Sequence, residues 1–194
     1  MIENDGTLAL SGSNFFDTDN ATHRYVPGGG GYTVSSIAFS YDAVQGSPIS
    51  PGDDGAVLVA LPFSFSYGGS SWNNMYVSGN GVISFGGGIN LSGYYDSSDF
   101  YNATPKIAAL YLDLNPAGGG AVNVKSEMTK VTVTWNAVIE YGTVKQNTVQ
   151  VVLYPNGTFT ITYSFIASTT QNNGSPIIIG IHPGGTPALQ EISF

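Results

Sequence analysis

The 194 residues contain no cysteine, only five Lys and Arg, and two histidines. Without thiols there is neither a disulfide framework nor a thiolate metal centre. Five cations against thirteen acids, a formal net charge of −8, cannot build the basic surface that a phosphate backbone requires, so nucleic acid is excluded as a partner. An anionic membrane surface is disfavoured for the same reason. His23 and His182 lack the H-E-x-x-H spacing, and Gly-x-Ser-x-Gly does not occur. No run approaches the length of a membrane-spanning helix, so no membrane span is expected. MIENDGTLAL opens with acids where a signal peptide is basic, and we read the chain as a mature product whose export signal, if any, lies outside it. Charged residues are 9% of the chain, against roughly 25% in an average soluble protein. Solubility then falls to Ser, Thr, Asn and Gly, a surface typical of extracellular or cell-surface β proteins.

What the sequence does have is alternation. In Gly55–Gly88, Val57, Val59 and Leu61 are followed across Pro62 by Phe63, Phe65 and Tyr67, and Tyr76-Val77 and Val82–Phe85 flank Ser78-Gly79-Asn80-Gly81. Period-2 patterns of aromatic and β-branched residues, broken by Asn-Gly and Gly-Gly, predict strands joined by turns. Further strands are expected over Tyr32–Val44, Ile107–Leu114, Val131–Ile139, Thr148–Tyr154, Thr158–Phe165, Ile177–Ile181 and Leu189–Phe194, with loops over 45–55 and 86–104. Phe159, Ile161, Tyr163 and Phe165 are expected on one face of their strand, and the intervening Thr and Ser on a half-solvated one. About ten strands without a credible helix predict an all-β fold, a two-layer antiparallel β-sandwich over 32–194. Trp135, Phe65, Phe85, Val151 and Ile161 are its expected core. Residues 1–31 read as an N-terminal arm, with Gly28–Gly31 as a glycine hinge.

The blocks LPFSFSYGG, VSGNGVISFGG, PKIAALYLDLNPAGGGAV, VTVTWNAV, NTVQVVLYPNGTFTITYS and IIIGIHPGG resemble, in order and spacing, the nidogen-type (NIDO-like) extracellular domain of secreted bacterial surface and adhesin proteins. The resemblance covers Asp53 to about Gly185. Tyr111-Leu112 departs from an aromatic pair ending in Trp, and Val149 from the Phe usual before Gln150. The resemblance implies a sandwich for adhesion or matrix assembly, with no catalytic residues to carry over.

Candidate chemistry is sparse. Asp53, Asp54, Asp96, Asp99, Asp113 and Glu140 could supply a glycosidase pair, but Asp53-Asp54-Gly55 reads better as a turn, and Asp113 is expected to accept hydrogen bonds from loop amides. Calcium is the one cofactor left open, through Asp17, Asp19 and Asn20 or Asp113 and Asn115, although no twelve-residue calcium loop is present and no other metal is expected. Asn-x-Ser/Thr acceptors for glycans stand at Asn20, Asn90, Asn102, Asn156 and Asn173, all in expected loops. Tyr94, Tyr95, Phe100 and Tyr101 could stack on sugars or plug the end of the sandwich.

These observations favour a non-catalytic structural or adhesive module that self-associates as a homo-oligomer or filament. Leu8, Leu10, Phe15 and Phe16 of the arm would add a strand to a neighbour's sheet. The alternative is a carbohydrate-binding module of a secreted hydrolase, with glycans as its partners.

Overall fold

The computed structural model describes residues 2–4, 18–89, 100–101, 103–174 and 177–187. Their fold is all-β, with two antiparallel sheets. The first sheet runs in the order β1 (Ile2–Asn4), β14 (Ile178–His182), β8 (Lys106–Tyr111), β7 (Val82–Ser84), β6 (Ser70–Ser78) and β5 (Ala56–Tyr67). The second runs β3 (Gly31–Ile37), β2 (Ala21–Gly28), β13 (Phe159–Ile166), β12 (Gln146–Leu153), β11 (Lys130–Glu140), β10 (Ala121–Glu127) and β4 (Ser47–Ile49). A short β9 (Leu114–Asn115) pairs with β11. The expected two-layer sandwich is the one observed. No helix among the described residues is long and apolar enough to cross a membrane.

Inward-facing residues of both sheets make the main core. Trp135, Phe65, Phe85, Val151 and Ile161 are all fully buried in it, as their phase requires. Aromatic rings run through this layer, with centroids 4.5 Å apart for Tyr25 and Phe159, 4.9 Å for Tyr67 and Phe85, and 5.6 Å for Phe65 and Phe85. The Trp135 Nε1–H donates to the Ser78 carbonyl at 2.8 Å, a bond from the second sheet to the first. Strand β8 is buried on both faces because a second apolar cluster, including Ile89, Phe100, Tyr111 and Ile178, covers the outer face of the first sheet.

Register shifts break the alternation read from sequence at several points; in β11 the shift between Trp135 and Val138 puts Val138 into the core in place of Ala137. The β12–β13 register shifts between Thr148 and Val149, so Ser164 has no Cα partner and Phe165 turns outward, 53% exposed, instead of joining Phe159, Ile161 and Tyr163. The β5–β6 register shifts between Ala60 and Phe65, around Pro62, which has no N–H to give to a ladder.

The expectation of an arm is corrected for residues 21–31. Ala21–Gly28 is β2, held between β3 and β13, so both its edges are already paired and it has no ladder to lend a neighbour. Gly28–Gly31 is a hairpin turn and not a hinge: Gly29 and Gly30 have φ of 59° and 81°, the pair of positive values that a tight two-residue hairpin needs. Ile2–Asn4 pairs with β14 of its own chain. Leu8, Leu10, Phe15 and Phe16 lie outside the described residues.

After β3 the chain does not continue as a strand to Val44. Residues 38–46 form a strap across the outer face of the second sheet, from the β3 edge to β4, which itself falls in the stretch read as a loop. Ser40 N donates to Thr22 Oγ1 at 2.9 Å, and Thr162 Oγ1 donates to the Ser40 carbonyl at 2.6 Å. Gln150 grips the strap from both sides: its Oε1 accepts from Asp42 N at 2.8 Å and its Nε2 donates to the Asp42 carbonyl at 3.0 Å. Lys125 and Lys130 bond Asp42 Oδ2 at 3.0 and 2.9 Å and hold its carboxyl down to about 2, Lys130 having the larger effect. Thr132, Thr134, Gln150 and Thr162 are therefore buried beneath the strap, where for Thr162 the sequence suggested a half-solvated face.

Trp135→Ala should cost about 3–5 kcal/mol. Gln150→Leu, which unties the strap from β12 and leaves two backbone groups of Asp42 without it, should cost about 2–3 kcal/mol. Urea unfolding measures both.

Candidate functional site

The twelve residues of β5 span roughly 40 Å at about 3.3 Å each, and the loops at its two ends form chemically different poles. At the C-terminal pole, the β2–β3 and β5–β6 turns, Phe100, Tyr101 and residues 181–184 line a cavity of about 1030 Å³. The β5–β6 turn packs against Pro183, after β14: Gly68 has φ +60° and an added Cβ would lie 2.2 Å from the Pro183 carbonyl oxygen, so only glycine fits.

The side chains around this cavity are neutral or tied down. Tyr32 donates to the Gly157 carbonyl at 3.2 Å, and burial pushes its phenol up to about 12. Tyr67 donates to the Lys106 carbonyl at 2.6 Å. Lys106 is buried, with Nζ bonded to the Phe100 carbonyl at 2.7 Å and 5.6 Å from the centroid of the Phe100 ring. Gly184 N donates to His182 Nδ1 at 3.1 Å, which leaves the proton of the neutral ring on Nε2. That Nε2 is sealed from solvent and has no partner among the described residues. Burial first, and the Lys106 ammonium second, push the imidazole down to about 4, so His182 is uncharged at neutral pH.

One candidate for sugar stacking is corrected. Phe100 is only 1% exposed, set edge-on against His182 and Tyr111 at 5.9 and 6.4 Å between centroids. Its ring covers the apolar outer face of the first sheet and is not presented to a ligand. Tyr101 is half-buried at the cavity. Tyr94 and Tyr95 lie outside the described residues, as do Asn90 and Asn102 among the glycan acceptors. Asn20 and Asn156 are exposed in turns, and Asn173 is exposed in a third turn. The threonine of the Asn20 motif, Thr22, is buried under the strap. Asn156 Oδ1 accepts from Thr158 N at 3.1 Å at the hairpin tip.

The opposite pole is acidic. Asp53 and Asp54, just before β5, meet Asp113, just before β9, with one carboxylate oxygen of each within 4.8 Å of the others. Glu140 is fully buried nearby; its Oε2 accepts from Ser168 Oγ at 2.9 Å and lies 3.4 Å from Lys145 Nζ. Burial and then the charges of Asp53, Asp54 and Glu140 raise the Asp113 carboxyl to about 6. The expectation that loop amides bond Asp113 is corrected: among the described residues nothing donates to its carboxylate. Asp96, Asp99 and Asp17 lie outside the described residues. Asp19 is engaged by Ile166 N at 2.9 Å and by Asn20, and Asn115 by Gly118 N at 2.9 Å. His23 on β2 and His182 on β14 belong to different sheets. The meeting of Asp53-Asp54 with Asp113 was not visible in sequence. Two turn-like signals some sixty residues apart carry no mark of shared space.

A family model described as NIDO related matches residues 31–193. No curated protein and no solved structure matches the chain.

The depressed pKa of His182 has a definite sign. Protonation is disfavoured in the folded state, so its stabilising contribution is complete above 6.5, the ordinary value, and is lost as pH falls toward 4. Between those limits the wild type should lose up to about 1.4 kcal/mol per pH unit more than His182→Gln, read from paired urea titrations.

Proposed function

We infer the function from one fact: the chain belongs to the NIDO-related family, whose model takes in residues 31–193. We read it as a non-catalytic module of the extracellular type, a structural or adhesive subunit that associates with copies of itself at a cell surface. The family match carries this reading. The 9% charge and the absence of cysteine support it, as does the presence of glycan acceptors in exposed turns.

The sheet edges suggest how copies would meet. An exposed edge is a row of unpaired N–H and C=O groups, and proteins ordinarily guard it with charge, proline or a bulge. Edge strand β4 is three residues long and contains Pro48; edge strand β5 carries Pro62 and the register shift around it. Edge strand β3, Gly31–Ile37, has neither proline nor charge over seven residues. Strand addition along β3 is therefore the proposed seam, in place of donation by residues 21–28.

A second reading, carbohydrate binding, draws on Tyr32 and Tyr101 at the cavity of about 1030 Å³. Sedimentation and electron microscopy of the full chain separate the two. Self-association of the wild type, abolished by Ser35→Lys with no loss of fold, is the expected result. A monomer that retains glycans on an array through Tyr101 would favour the second reading.

A further inference from the structure

We propose that Asp53, Asp54 and Asp113 form a calcium-binding site at the acidic pole. Two oxygens bound to one calcium at about 2.4 Å can lie no more than roughly 4.8 Å apart, which is the spacing within which one oxygen from each of the three carboxylates falls. Carboxylates pointed at one another this closely repel unless something positive sits between them.

No cation of the protein is bonded to these three carboxylates. Lys125 and Lys130 are bonded to Asp42 on the second sheet, and Lys145 to Glu140. Lys106 is buried at the other pole beside Phe100, and Arg24 stands on β2. Those are all five cations of the chain.

The second observation is the state of the oxygens. Asp113 is 4% exposed, yet its carboxylate receives no hydrogen bond among the described residues. Asp53 Oδ1 is sealed from solvent and equally without a donor. A buried carboxylate of purely structural use takes amide or hydroxyl donors. Oxygens left bare and turned toward two further carboxylates are ligand atoms. All three are hard oxygen donors without imidazole or thiolate, the set that suits calcium and not zinc or copper.

The site is also held in place. Gly79 N donates to the Gly55 carbonyl at 3.1 Å, and Leu114 N donates to Asn80 Oδ1 at 2.7 Å, so one turn, Ser78–Gly81, positions both acidic segments. An added Cβ at Gly79 would lie 2.6 Å from the Asp53 carbonyl oxygen, so the loops pack too closely for any other residue. Little ordering remains to oppose the ion's arrival.

The proposal does not depend on self-association, because cation binding is read on a monomer or an assembly alike. The test is calorimetry and thermal unfolding of the full chain in EDTA, with added calcium, and with added magnesium. Calcium at a hundredfold excess over Kd should raise Tm by roughly 5–10 °C. Asp113→Asn, which removes one of the mutually repelling charges, should hold or raise the Tm in EDTA and weaken calcium binding at least tenfold. Three results would overturn the site: no calcium-dependent heat or shift at millimolar concentration, an equal response in Asp113→Asn, or an equal response to magnesium. A drop in the EDTA Tm of Asp113→Asn would also count against it, since it would give the carboxylate a structural partner.

Discussion

The fold turns on how the indole of Trp135 is buried. A tryptophan at the centre of a sandwich brings a large apolar ring and one N–H that must find an acceptor. Here the acceptor is the carbonyl of Ser78, at the end of β6 in the opposite sheet. That choice fixes the turn that follows. Ala109 and Leu110 donate to the Gly81 carbonyl, Asn80 Oδ1 accepts from Leu114 N, and Gly79 N donates to the Gly55 carbonyl just before β5. One hydrogen bond across the core thus sets the spacing of the sheets, the start of β8's exit and the place where three acidic residues meet.

Scarcity of charge shapes the rest. With so few ions, the outer face of the second sheet is covered by neutral hydrogen bonds, and the strap over residues 38–46 supplies them. Gln150 holds the backbone of Asp42 as a neighbouring strand would, and donates as well to Thr134 at 2.8 Å. An amide side chain suits this role because it offers donor and acceptor together and carries no charge to desolvate. The two lysines at Asp42 then form a local cluster of partly buried ion pairs at the strap's corner, where geometry and hydrogen bonding make such pairs count.

Much of this was legible in the residues, for a physical reason. Side-chain alternation is local, so the faces of β11 as far as Trp135 and of most of β13 could be read directly, and the unbroken apolar run of β8 marked a strand buried on both faces. Bulges are local too but silent: Ser164 looks like any other outward residue, and nothing before Phe165 says that the period slips. The glycine run at 28–31 signalled a special backbone without saying whether it hinges or turns; only the pairing of Gly28 with Gly31 decides. The strap was misread because Ile37, Phe39 and Tyr41 alternate as a strand would, while the partner that captures the segment, Gln150, lies 108 residues away. Long-range polar pairing leaves no periodicity. The acid cluster was invisible on the same ground.

The two poles and the edges point to a division of labour within one sandwich. The pole around His182 keeps its titratable groups neutral or tied down, through burial and short bonds to backbone carbonyls. The pole around Asp113 concentrates negative charge on loops pinned to the core. A β-sheet has little net dipole of its own, so this polarity comes entirely from which residues the turns carry. Among the described residues four lateral edges run between the poles: β4 and β5 contain proline, β1 is three residues long with Glu3 in it, and β3 is left plain. Because β3 lies along the side of the sandwich, strand addition there would leave the loops of both ends uncovered. The proposed seam at β3 would therefore leave an aromatic end and an acidic end both open to whatever surrounds the sandwich.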